Sequence, residues 1–449
     1  MQVGEVVLLE KAVEEIIGVA RGLGLDFFPM RFELCPPEVI YTFGAYGMPT
    51  RFSHWSFGKA YFKIKTEYDY NLSRIYEMVI NTNPCYAFLH EGNTLLQNKI
   101  VVAHVLGHSD FFKNNAYFRQ TPRNMLETMA AAAERIRGYE LAYGRDEVEA
   151  FLDAALALQE HINPYRFINE ASPRGGNRCA CRKGSPYLDL LKAQEAGPEG
   201  PGNEAKETGL YPEKDVLLFV LRHATHLEDW QRDILGIIHD ETLYFWPQMR
   251  TKIINEGWAT YWHTRIMRAL DLAEDEAIEY ARAHAEIVQP SPLRLNPYLL
   301  GLKIFEDIEA RRGREAIFEV RATCDDVSFL RNYLSRETVE QLDLYVYRRM
   351  GQEWRVVDTG WTEVRDVLVS RLVNCGFPYI VVEDGDYDRR GELYLRHCYE
   401  GAELDVYYLE RTLPHVFKLW GRPVHLETVL EGRTFIFSYN GEKVLRRTV

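Results

Sequence analysis

Long apolar runs are missing from this chain of 449 residues. The longest, Val216–Leu221 (VLLFVL), is far short of the ~20 apolar residues that span a bilayer as a helix. No membrane span is expected. Clustered positive charge is missing too. Asp and Glu outnumber Lys and Arg by 66 to 53, and the formal net charge is −13. No run of Lys and Arg is long enough to track a phosphate backbone, so a nucleic-acid partner is not expected. Paired cysteines are scarce. Cys35, Cys85, Cys324, Cys375 and Cys398 are scattered among apolar neighbours and read as reduced thiols. Cys179 and Cys181 form a lone CxC in RGGNRCACRKG, and no second pair follows closely enough for a zinc knuckle. A surface loop is expected there. Met1–Gly22 reads as an amphipathic helix and not as a secretory leader, because Glu5, Glu10, Glu14 and Glu15 interrupt it. These absences together predict a cytoplasmic protein.

What is present is a normal globular balance, 46% hydrophobic and 27% charged, in a length that suggests two or three domains. The predicted fold is α+β. A mainly helical N-terminal domain with a small strand pair, in a zincin-like helix arrangement, covers residues 1–345. A small C-terminal α+β domain covers 346–449. Residues 23–72 read as irregular and aromatic-rich. Arg74–Ile80 and Cys85–His90 read as strands around the turn Asn81-Thr82-Asn83-Pro84. Asn93 or Thr94 caps a helix to about Phe112. Further helices are predicted over Pro122–Gly138, Arg145–Ile162, 213–245 with a break near Thr225–Leu227, from Pro247 to about Leu272, Glu274–Ile287, Tyr298–Arg312, Arg314–Arg321, and from Asp325 or Asp326 to Leu334. Residues 170–212 are rich in Gly, Pro and charge and read as a flexible excursion with a short helix, Tyr187–Glu195. After Trp354 a helix–strand–strand unit occurs twice. Its helices are Thr362–Cys375 and Val406–Leu419, and Gly376-Phe377-Pro378 matches Gly421-Arg422-Pro423 at the joins.

The chemistry-bearing stretches are Val101–His108 (VVAHVLGH) and Ile254–His263 (INEGWATYWH). His104 and His108 are four residues apart, so a helix puts both imidazoles on one face, one turn apart. Glu256, Thr260 and His263 share a face of the second helix. Gly257 and Ala259 would let another helix approach closely. Two imidazoles and a carboxylate are a common Zn2+ set with a position left for water, and they also suit Fe2+. The metal ligands predicted are His104, His108 and Glu256, with His263 as a fourth ligand or as acid/base. The pattern is similar to the gluzincin metallopeptidases, but the position of their general base, directly after the first histidine, is Val105 here. A valine accepts no proton. Glu228 and Glu91 are the candidates for a displaced base, and for Glu228 a dipole-stabilised helix start is the plainer alternative. His223, His226 and His239 could form a second ligand group. Asp110, Lys113, Asn114 and Asn115 could orient the histidines or meet substrate, or simply close a solvated helix end. His397, His415 and His425 read as isolated.

The stretches AHVLGHSDFFKNN, LEDWQRDILGIIHDETLYFWPQ, KIINEGWATYWH, NPYLLGLKIFEDIE and DDVSFLRNYLS resemble the stage V sporulation protein R family. The resemblance covers most of the chain, including the C-terminal repeat. It implies a bacterial cytoplasmic protein linked to spore cortex formation, with relatives in non-sporulating bacteria associated with a serine-kinase stress operon. It implies no biochemical activity. His104, His108, Glu228, Glu256 and His263 match family positions, whereas His223, His226 and His239 do not. Three functional expectations stand side by side. One is a zinc-dependent hydrolase of a peptide or peptidoglycan-precursor-like substrate. The second is a non-catalytic assembly or regulatory factor with a structural metal, whose C-terminal domain recruits a protein partner. The third is an iron redox enzyme. Val105 favours the second, and the crowd of polar residues around the histidines favours the first.

Overall fold

The computed structural model describes residues 3–69, 78–165, 212–291, 294–351 and 353–449. They fall into two compact units, one of Met1–Glu149 and Asp240–Phe377, the other of Ala150–His239 and Pro378–Val449. In chain order the helices are α1 Val3–Gly22, α2 Pro37–Tyr46, α3 Trp55–Asp69, α4 Leu95–Asn114, α5 Met125–Tyr143, α6 Arg145–Leu156, α7 Val216–His223, α8 Asp229–Arg250, α9 Lys252–Ala269, α10 Glu274–Ile287, α11 Pro297–Arg312, α12 Arg314–Thr323, α13 Asp326–Tyr333, α14 Arg336–Gln341, α15 Trp361–Leu372 and α16 Val406–Trp420. The strands are β1 Met30–Cys35, β2 Met78–Ile80, β3 Cys85–His90, β4 Val346–Met350, β5 Glu353–Asp358, β6 Ile380–Tyr387, β7 Glu392–His397, β8 Val424–Leu430, β9 Arg433–Tyr439 and β10 Val444–Thr448. The α+β class expected from the sequence holds, with a helical N-terminal part and a strand-rich C-terminal part. Among the described residues no helix is long and apolar enough to cross a membrane.

The first unit is built on α4. Thr94 starts it with a capping box: the Thr94 hydroxyl accepts the Gln97 N–H, and the Gln97 amide oxygen accepts the Thr94 N–H. The helix is buried on nearly every side. Ile100, Val101, Val102, Val105 and Leu106 join Trp258, Tyr261 and Trp262 of α9 and Phe305 of α11 in one core. Burial of each such side chain contributes about 1.5–3 kcal/mol. Two close approaches set the helix spacing. A Cβ on Gly107 would lie 2.7 Å from the Ala259 Cα, and one on Gly257 would lie 2.3 Å from the Gly301 Cα. The small residues foreseen on α9 therefore serve two neighbours, Ala259 facing α4 and Gly257 facing α11.

Two local expectations change. Residues 23–72 are not irregular throughout, since they hold β1, α2 and α3. Pro37 stands in the first turn of α2, where its fixed φ suits a helix and its missing N–H costs nothing. The strand β3 is central: β1 pairs with it in parallel and β2 antiparallel, in the order β1-β3-β2. Pro247 does not open the Glu256 helix. It lies in the last turn of α8, and the chain breaks at Thr251. The start of α9 is set from a distance, because the Asp326 carboxylate accepts the Ile253 and Ile254 N–H groups at 2.9 and 2.8 Å.

In the second unit a five-stranded sheet has the order β10-β9-β8-β7-β6, with β7 and β8 parallel and the other pairs antiparallel. Helix α16 makes the crossover between the parallel strands, which two-residue turns cannot make. Its Leu409, Leu413, Val416, Leu419 and Trp420 are buried at helical spacing, and β8 buries Val424, Leu426, Thr428 and Leu430 at alternate positions. The strand pairs β6–β7 and β8–β9 are those of the repeat. Its first helix, α15, belongs to the first unit, where Val364 and Val369 join the core. The units thus divide at 377/378 where the sequence suggested 345/346, and the second unit also takes in 150–239. The hairpin β4–β5 was not foreseen. Residues 170–211 of the excursion with its helix Tyr187–Glu195, the CxC pair and the first part of the strand Arg74–Ile80 lie outside the described residues.

Candidate metal centre

His104 and His108 project from one side of α4, and Glu256 of α9 meets them. One oxygen, Glu256 Oε2, lies 3.5 Å from His104 Nε2 and 3.4 Å from His108 Nε2. One ligand atom from each of the three residues lies within 4.8 Å of the others. Among the described residues this is the one cluster of three or more ligating side chains close enough to share an ion.

The spacing suits a cation better than direct hydrogen bonds. Both separations exceed the usual 2.7–3.2 Å of an N–H···O bond. Ligand atoms about 2.0–2.2 Å from a shared ion in a tetrahedral set lie about 3.3–3.6 Å apart. Glu256 Oε2 is buried and accepts no hydrogen bond among the described residues. Burial alone would raise the Glu256 pKa, but His108 and then His104 override it and hold the carboxyl well below the usual carboxylate range. The donor set therefore fits a divalent ion such as Zn2+, with two imidazoles and one ionised carboxylate. The glutamate side chain keeps 18% exposure, so the centre is not sealed.

Behind each histidine stands a second residue. His108 Nδ1 is 2.9 Å from Asn255 Oδ1. The ring nitrogen donates there, which leaves the Nε2 lone pair toward Glu256. His104 Nδ1 is 3.0 Å from His263 Nδ1, and His263 Nε2 is 3.1 Å from His284 Nδ1. His263 is fully buried, and burial, followed by the neighbouring imidazoles His104, His284 and His108, pushes its pKa well below the ordinary histidine value. His284 on α10 is lowered too, first by burial and then by Arg268. Neither Asn255 nor His284 was singled out by sequence: Asn255 directly precedes Glu256 in INEGWATYWH, and nothing in the linear sequence ties His284 to the site.

The other predicted residues fall elsewhere. Glu91 is exposed just beyond β3, its N–H bonded to the Cys35 carbonyl, and is not in the cluster. Glu228 belongs to the second unit. Its N–H donates to Gln231 Oε1 and its carboxylate accepts the Trp230 indole N–H, the pattern of a helix start. Val105 is 0% exposed and part of the core. His223, His226 and His239 do not form a second ligand group: His239 pairs with Asp215 at 3.0 Å, His226 meets the Lys418 carbonyl, and His223 packs on Phe219. The α4 terminus is not a solvated end. Asp110 is fully buried, accepts the Asp26 N–H and the Trp258 indole N–H at 2.8 Å each, and pairs with Arg321 at 3.2 Å. Burial, against the pull of Arg321, pushes its pKa up to about 6. It ties α4 to α9 through Trp258. Lys113 and Asn114 bind Asp26, and Asn115 binds the Arg321 and Cys324 carbonyls. Cross-strand pairing gives partners to two histidines that the sequence left isolated: His397 meets Thr428, and His425 lies between Ser438 and Glu392.

Fold and site together define a two-unit α+β protein whose helical unit gathers a His/His/Glu cluster between two buried helices. The chain belongs to the SpoVR family: residues 4–377 match the SpoVR like protein profile, and 378–431 match the SpoVR-like C-terminal domain. The boundary between the two profiles coincides with the 377/378 division of the units. The chain is 30% identical over 468 aligned residues to the uncharacterized protein YcgB of Escherichia coli (strain K12), covering 94% of this chain and 91% of that protein. No solved structure matches.

Proposed function

We propose that this SpoVR-family chain is a divalent-metal hydrolase, with Zn2+ held by His104, His108 and Glu256, acting on a peptide or peptidoglycan-related substrate in spore cortex formation. One observation carries the reading: a buried, ionised glutamate oxygen that accepts no hydrogen bond, set at tetrahedral-edge distance from two imidazole nitrogens. The chemistry such an ion supplies is activation of water and polarisation of a scissile carbonyl. The chain's own contribution is to hold three donors from two helices and to orient both histidines through Asn255 and His263. Three protein ligands leave a position open, which is the mark of catalytic rather than structural zinc sites. Glu91 is the candidate base that shares a unit with the histidines. The same donors also suit Fe2+, which would point to redox chemistry.

A second reading, a structural metal in an assembly factor, is favoured by Val105, because the cluster itself offers no second carboxylate as base. The experiment has two steps. Metal content is measured by elemental analysis on tag-free protein and on His104→Ala. Zinc-loaded and chelator-stripped protein are then offered peptides and muropeptides. Stoichiometric zinc lost in the variant, with cleavage by the loaded protein alone, is the expected result. Zinc without cleavage favours the structural reading. Iron in place of zinc turns the assignment to redox chemistry. Absence of metal from the wild type overturns all three.

A further inference from the structure

We infer that α9 is the positioning element of this centre: Asn255 and His263 fix the tautomers of His108 and His104, and His284 of α10 fixes His263. This rests on the metal reading and adds to it the residues that make the ligands competent.

The argument is one of donors and acceptors. A neutral imidazole has one N–H and one lone pair. For His104 to present Nε2 to an ion, its Nδ1 must carry the proton and donate it. The atom facing that proton is His263 Nδ1. His263 must then accept at Nδ1 and donate from Nε2, and the atom facing Nε2 is His284 Nδ1. One direction thus runs through the row His104–His263–His284. Asn255 Oδ1 does the same for His108 with an amide oxygen. Helix α9 therefore supplies one ligand, Glu256, and the hydrogen-bond partner of each of the two others. Both nitrogens of His263 are engaged in the row, which casts it as a positioning residue and not as the fourth ligand.

The row is anchored. Helix α10 is tied to α4 by Lys99 to Glu276 at 2.8 Å and by Thr94 to Glu279 at 3.3 Å, so His284 cannot drift without breaking those links. Partners of this kind, when removed, typically weaken metal binding by about 10- to 100-fold.

The test uses the full-length chain, tag-free and with 15N-labelled histidine. Zn2+ affinity is read by chelator competition, and tautomers by long-range 1H–15N correlation. Wild type is compared with His263→Leu and His263→Asn, each checked for folding by circular dichroism. The expected result is Nδ1–H on His104 and His108, zinc shifts on their Nε2 resonances, and an affinity about 10- to 100-fold weaker in His263→Leu. His263→Asn, whose Oδ1 can stand where Nδ1 stood, recovers most of that loss. Zinc bound by His263→Leu as tightly as by wild type overturns the inference, and so does a zinc shift on His263 itself. If His263→Leu does not fold, the wild-type tautomers and His263→Asn decide. If wild type binds no zinc, the metal reading falls separately. The row then stands if His104 is Nδ1–H in the metal-free chain and falls if it is Nε2–H.

Discussion

Gly107 rests on Ala259 so closely that a Cβ on the glycine would lie 2.7 Å from the Ala259 Cα. The contact lies between His104 and His108 on one side and within a turn of Glu256 on the other, so it sets the distance between the two helices that carry the cluster. Gly107→Ala must push α4 from α9. Overpacking of this kind costs about 1–3 kcal/mol. The expected outcome is a lower Tm together with weaker Zn2+ binding, since the cluster tolerates little change in spacing. An alanine variant with wild-type stability and zinc affinity would show that the helices are not held by this contact.

Zinc itself should stabilise the chain. An ion that binds only the folded state at a hundred times its Kd adds about 2.7 kcal/mol. Micromolar Zn2+ is therefore expected to raise the Tm of wild type in a calorimetric or fluorescence melt. Glu256→Gln removes the charge on the one carboxylate of the cluster and leaves its shape. It should abolish most of the zinc-dependent rise. An equal rise in both proteins would place zinc at some other site.

The His104/His108/Glu256 cluster was legible before the fold because its signal is local. His104 and His108 share one helix at a fixed spacing, and Gly257 and Ala259 announce close helix contact. The pairing of α4 with α9 needed no long-range guess beyond those residues. The hydrogen-bond partners were not legible. His284 reaches the site only through the packing of α10, and Asn255 differs from any exposed Asn only by what it faces. Glu228 misled for a related reason: a polar helix start looks the same in sequence whether it faces a ligand or caps its own turn. The start of α9 was misplaced because Asp326, far along the chain, caps it in place of a local residue.

That remote cap should have a pH signature. Burial pushes the Asp326 pKa up to about 8, against the two backbone N–H groups it receives. In the unfolded chain the group titrates near about 3.9. Between about pH 4 and pH 8 the folded state thus holds a proton that the unfolded state has released. The contribution is fully present below the unfolded pKa, and stability falls as pH rises through this window. Asp326→Asn keeps the size and one carbonyl acceptor but cannot titrate. In urea unfolding at several pH values from 5 to 8, the decline of stability with pH should be shallower in the variant. The same slope in both would mean that the cap is ionised throughout.

Val105 stands where a gluzincin has its base, and restoring that base by mutation is expected to fail. The side chain has no solvent exposure and packs in the main core of the first unit with Ile100, Val101 and Leu106. A glutamate there would be buried without a partner. Removal of a charged or polar group from water without compensation costs several kcal/mol, and the group then stays protonated rather than serving as a base. Val105→Glu should therefore express poorly or melt well below wild type, and it should gain no hydrolysis with zinc present. Val105→Ile, which keeps the chemistry of the core, should cost less than about 3 kcal/mol. A folded, zinc-loaded Val105→Glu that cleaves peptides faster than wild type would show that this position does reach the centre.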